Sequence, residues 1–167
     1  MGFLITSGDL IRGICILALI YLAYEDARTF RLPNRVTLPL FVFGLVLNSL
    51  ESTRLTSFTD AFTGAILGYT FFWILNCLYR LIKKQDGIGM GDAKLLAALG
   101  AWLGLSALPE VVLIAALSGS VGGFIWLRIQ DQHHRAPFPF GPFLAFAGII
   151  ELLWPHFLQT FILINLS

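Results

Sequence analysis

The sequence predicts an all-α, polytopic membrane bundle of about six transmembrane helices. Hydrophobic residues make up 57% of the 167 residues and charged residues only 13%, an excess of apolar surface that a chain of this length cannot bury on its own. The apolar residues are gathered into six runs, at 8–25, 36–50, 61–82, 93–108, 109–127 and 141–163. Each is read against the ~20 residues needed to cross a hydrocarbon core as a helix.

The first run carries Asp9 and Arg12 at its start and flows into Glu25-Asp26 without a small-residue cleavage site, so it is expected to be retained as a span. Leu32-Pro33-Asn34 stops that helix and starts the next, the proline forcing an extended entry. The second and fourth runs are short, so tilt or local thinning has to help them. The third and fourth are separated by a basic, glycine-rich loop, and the boundary between the fourth and fifth is expected at Leu108-Pro109-Glu110. Gly64 with Gly68, Gly100 with Gly104, and Gly119 with Gly122 offer small faces where helices approach closely. No linker, low-complexity tract or internal repeat divides the chain, so 1–167 is expected to form a single membrane-embedded domain.

Loop charge predicts the orientation. Arg28, Arg31 and Arg35 fall in the first loop, Arg80, Lys83, Lys84 and Lys94 around the third, and Arg128 and Arg135 in the fifth, against Arg12 and Arg54 on the other side. Nine against two places the odd-numbered loops in the cytoplasm and both termini in the periplasm. The net charge is +1 and the basic residues form no stripe or tail, so nothing points to nucleic acid; no nucleic-acid partner is expected, and membrane lipid is. Cys15 and Cys77 lie in apolar runs without CxxC spacing, and the adjacent His133 and His134 do not aim at one ion, so no metal site is expected. Asp86 and Asp131 read as solvated loop charges.

Two acids stand apart. Asp26 closes the first run, where the helix dipole disfavours a negative charge, and Asp92 closes Gly87-Ile88-Gly89-Met90-Gly91-Asp92 at the start of the fourth. Two crossings separate them, so both return to the cytoplasmic face. There a pair of carboxylates sharing one proton can activate water and polarise a peptide carbonyl. Two plainer readings stay open: Asp92 as the N-cap of its helix, and Asp26 as a charge at headgroup level. Glu25 points elsewhere, and Glu151 lies inside the last run, where a carboxylate needs a partner or water. The glycine segment lacks both the Gly-Lys-Ser/Thr ending of a P-loop and the GxGxxG of a dinucleotide fold.

Three ordered motifs carry a resemblance. Asp26 followed by Arg31-Leu32-Pro33-Asn34-Arg35, with Gly44 and Asn48 beyond, then Gly87 to Gly104, then Pro139-Phe140-Gly141-Pro142 together resemble the bacterial type IV prepilin peptidases, membrane aspartic peptidases of the GxGD class. The resemblance covers roughly residues 15–155. It implies that Asp26 and Asp92 are the catalytic pair and that Gly87, Gly89, Gly91, Lys94, Pro33 and Asn34 bind or position the substrate. Gly89 and Gly91 would let an extended substrate backbone lie beside Asp92, and Lys94 would either tune that acid or meet lipid phosphate.

The implied activity is removal of the basic leader from prepilins or pseudopilins at the cytoplasmic face of the inner membrane, after a glycine that precedes an apolar helix. Longer members carry an additional amino-terminal region with a cysteine-pair zinc domain, and many N-methylate the product with S-adenosylmethionine. Neither that region nor its cysteines stand in this sequence, so the expectation is a peptidase without cofactor, S-adenosylmethionine entering only if methyl transfer is retained. Three alternatives are a bifunctional peptidase and methyltransferase, a small transporter or channel component with Asp26 and Asp92 on an ion path, and an inactive scaffold of a pilus or secretion assembly.

Overall fold

A computed structural model describes residues 7–50, 54–84, 89–129 and 138–155. Among them are six helices and no strand: α1 (Ser7–Thr29), α2 (Asn34–Ser49), α3 (Phe58–Lys83), α4 (Met90–Leu103), α5 (Leu108–Ile129) and α6 (Gly141–Leu153). The predicted Gly87, His133, His134, Asp86 and Asp131 assignments lie outside the described residues, as does the end of the last apolar run.

The shortest spans are explained by where they sit. Helix α4 has 14 residues and rises only about 21 Å, but it is the centre of the molecule. Ala93 and every residue from Leu95 to Trp102 are buried. Helix α3 makes the broadest contact with it, α2 and α6 pack beside it, and α1 and α5 flank α6. A helix wrapped in protein does not have to match the bilayer thickness itself. The outer helices do. Helix α3 and residues Leu108–Trp126 of α5 are long and apolar enough to cross a membrane, and they leave side chains such as Trp73, Ile74, Leu113 and Phe124 exposed. Such a belt of outward apolar side chains marks the chain as a membrane protein.

Small residues set the distance between α3 and α4. A Cβ placed on Gly100 would run into the backbone of Gly64, and one on Gly68 would come within 2.8 Å of the Leu96 carbonyl oxygen. Close backbone approach of this kind replaces the hydrophobic force that lipid does not provide. At the end of α4 furthest from Asp92, a buried amide fastens α2. Asn48 Nδ2 donates to the Ala101 and Trp102 carbonyls at 2.8 and 3.2 Å, and its Oδ1 accepts from the amides of Leu55 and Thr56 at 2.8 and 3.0 Å. Two of the carbonyls orphaned at the end of α4 are thereby satisfied.

The turn between α4 and α5 differs from expectation. The chain breaks at Gly104, whose φ of +85° only glycine adopts readily, and Leu108-Pro109-Glu110 is the first turn of α5. Proline is tolerated there because the amide it lacks would have had no partner inside the helix.

Candidate active site

Three helix ends meet at one side of the bundle. Helix α1 stops just after Asp26 because Phe30 takes a left-handed conformation, φ 54°, and turns its amide back onto the Asp26 carbonyl at 2.9 Å. Thr29 reinforces the stop, its hydroxyl donating to the Glu25 and Arg31 carbonyls. The chain then enters α2 through Pro33 in the extended region, so Asn34 opens α2 beside the start of α4. Helix α4 begins after Gly89 and carries Asp92 in its third position. Asp92 therefore does not occupy the N-cap; that place belongs to Gly89, which has no side chain to cap with.

A cavity of about 620 Å³ opens between these ends, and both Asp26 and Asp92 line it. Gly89, Gly91, Lys94 and Asn34 line it too. Pro33 stands one residue outside, as the residue that aims α2. The two glycines differ in what surrounds them. A Cβ on Gly89 would meet only Asp92 Oδ2, at 3.5 Å, whereas one on Gly91 would press on Leu32 from 3.2 Å, so Gly91 serves the packing of α4 against the α1–α2 connection. Lys94 holds Asn34: its ammonium donates to Asn34 Oδ1 at 2.9 Å, which ties α4 to the start of α2 across the cavity wall.

Both acids fall just beyond the apolar runs 8–25 and 93–108. Burial pushes the Asp92 carboxyl up to about 7, and the negative charge of Asp26 adds to the shift. Burial also raises Asp26, opposed by a hydrogen bond from a backbone amide. That amide belongs to Gly141, at the start of α6, and donates to Asp26 Oδ2 at 3.0 Å. Phe140 supplies no side-chain cap to α6, so an aspartate from the far end of the sequence caps it instead.

Gly141 is the residue that site reasoning from the sequence passed over. It appears only inside the Pro139-Phe140-Gly141-Pro142 motif, and a contribution made by a main-chain N–H leaves no side-chain signature. Phe30 and Arg31 also line the cavity without having been singled out as site residues. Among the described residues, no group of three or more His, Cys, Asp or Glu side chains is placed to hold a metal ion.

Comparison with known proteins agrees with the sequence motifs. The chain is 42% identical over 147 residues to a prepilin leader peptidase/N-methyltransferase of Aeromonas hydrophila, covering 88% of this chain and 50% of that protein. It is 40% identical over 149 residues to one of Dickeya chrysanthemi, covering 86% and 52%. One of Burkholderia pseudomallei strain K96243 is 46% identical over 142 residues, covering 85% and 45%. The chain thus spans about half the length of the curated relatives it matches. No solved structure was found to match it. Residues 13–124 match the type IV leader peptidase family, and with relatives of this identity over most of its length the chain belongs to that family.

Proposed function

We propose that this chain is one membrane-embedded domain acting as an aspartic endopeptidase, which removes the basic leader from type IV prepilins or pseudopilins after a glycine that precedes an apolar helix. The observation that carries this reading is the meeting of Asp26 and Asp92 on one open cavity, close enough for the charge of one to raise the other. Loop charge supports a site on the cytoplasmic face of the inner membrane, with both termini outside. The relatives' printed names support the substrate class.

Hydrolysis needs one proton held by the pair. The ionised carboxylate takes a proton from water as the oxygen attacks the scissile carbonyl carbon, and the protonated carboxyl delivers its proton to the carbonyl oxygen. The tetrahedral diol then collapses: the first carboxyl protonates the leaving nitrogen, the C–N bond breaks, and a diol hydroxyl proton returns to the second. One water is consumed, and the pair ends with the proton it began with. Gly89 leaves room for an extended backbone beside Asp92, while Lys94 and Asn34 form a fixed polar wall along which the substrate is positioned.

The same names pair leader cleavage with N-methylation. Among the described residues, further cavities lie between α1 and α2, α2 and α3, and α3 and α5. Apolar side chains dominate them, with Arg35, Thr37, Tyr69, Thr70 and Lys94 but no carboxylate to pair with a sulfonium or a ribose diol. Their described linings offer S-adenosylmethionine no such partner, and leader cleavage is the activity proposed.

The test is purified protein in lipid with a prepilin substrate, read by the masses of both products. Asp26→Asn and Asp92→Asn, each nearly isosteric, are expected to abolish cleavage while the protein remains inserted and folded. Cleavage that persists in either variant removes the paired mechanism, and an added methyl on the wild-type product would restore the bifunctional reading.

A further inference from the structure

The two acids of the cavity are held differently. Asp26 sits at the end of α1, which on its own disfavours a negative charge, yet its Oδ2 takes the first amide of α6 at 3.0 Å. That amide has no alternative inside its helix, because it precedes the first intrahelical bonds. Pro142, which follows it, has no N–H of its own. The Asp26 side chain lies close against Gly141: the three heavy atoms nearest a Cβ built there are its Oδ2, Cγ and Cβ, at 2.6, 2.9 and 3.2 Å. A Cβ at this position would push the Asp26 side chain away from that helix end.

Among the described residues, Asp92 has a weaker hold. It lies in the first turn of α4, where the dipole favours its charge, but among the described residues no N–H donates to its carboxylate. A direct hydrogen bond to an ionised oxygen outweighs a first-turn dipole. Among the described residues, the other charged groups lining the cavity are Arg31 and Lys94, and the Lys94 ammonium donates to Asn34. Neither α3 nor the described start of α6 contributes a titratable side chain to the lining.

We infer that Gly141 is a positioning residue which keeps Asp26 as the ionised, water-activating member of the pair and leaves the shared proton on Asp92, facing the substrate carbonyl. The upward shift of Asp92 agrees with that division of roles. This placement of the proton rests on the peptidase reading only for its use in turnover.

Infrared spectra of the protein in lipid vesicles at about pH 5 test it without substrate. The carboxylic-acid C=O band of the cavity is expected to vanish in Asp92→Asn, leaving Asp26 as a carboxylate; an acid band equal to wild type in Asp92→Asn would overturn the assignment. Adding Gly141→Ala to Asp92→Asn removes the seat of Asp26, and its titration is expected to move up by about one pH unit, the loss of one charge-assisted hydrogen bond. An unmoved titration overturns the role of Gly141. In the single Gly141→Ala variant, the acid limb of leader cleavage is expected to move up by a similar amount, with kcat down tenfold or more. If Gly141→Ala fails to insert, the Asp92→Asn comparison still decides where the proton sits. Wild-type protein that gives the expected spectra but cuts no prepilin would sink the peptidase reading and leave the charge assignment standing.

Discussion

At the scale of single residues, the acids illustrate how burial becomes chemistry and what it costs the fold. Asp92 is raised because its charged form is poorly solvated and stands near Asp26. The folded protein therefore keeps a proton that the unfolded chain has already lost, which ties stability to pH with a definite sign. The destabilising effect is absent below about pH 4 and grows as pH rises through about 7. Asp92→Asn is accordingly expected to match wild type in thermal unfolding at pH 4 and to be more stable at pH 8, by on the order of 2 kcal/mol. Equal unfolding curves at pH 8 would mean that the carboxylate is well solvated after all. Asp26 and Asp92 were legible in the sequence because an acid at the edge of an apolar run is unusual. Gly141 was not, since nothing in one-dimensional spacing says that a main-chain amide of one helix will cap a carboxylate from another.

At the scale of helices, contact distance rather than apolar area decides which positions tolerate change. Gly100→Ala places a methyl against the Gly64 backbone, so α3 and α4 have to separate, and a loss of about 2–3 kcal/mol is expected. Gly13→Ala, with nothing within 4 Å of the new methyl, is expected to be neutral or to stabilise α1 by up to about 1 kcal/mol. Thermal unfolding of the two variants in the same lipid separates packing from helix propensity. Asn48→Ala belongs with the first: it strips partners from two carbonyls and two amides, at an expected cost of about 3 kcal/mol. The six helices themselves followed from the apolar runs, because crossing length and hydropathy are local properties. The α4–α5 break did not follow. Pro109 drew the boundary toward itself, whereas the positive φ that ends α4 belongs to Gly104, one of several glycines in that stretch that look alike in sequence.

At the scale of the whole molecule, the bundle has two polar ends with an apolar belt between them. One end gathers Asp26, Arg31, Asn34, Asp92 and Lys94. The other holds Asp60, whose carboxylate accepts from the Thr56 and Ser106 hydroxyls at 3.1 and 3.3 Å, together with the Asn48 fastening. Helix α4 joins the two ends with a rise of about 21 Å, less than the ~30 Å of a hydrocarbon core. The bilayer therefore has to thin around α4, and at the acid end the open cavity leaves both carboxyls within reach of water. In the orientation proposed from loop charge, that end faces the cytoplasm. In a Cys77→Ser background, cysteines at the exposed positions 31 and 106 are expected to react with a membrane-impermeant maleimide from opposite sides. Arg31→Cys should label only after the cytoplasmic face is opened, and Ser106→Cys in intact cells. The reverse pattern would place the acids in the periplasm, beyond the reach of a leader that stays in the cytoplasm, and would remove leader cleavage as the work of this cavity whatever its carboxylates are able to do.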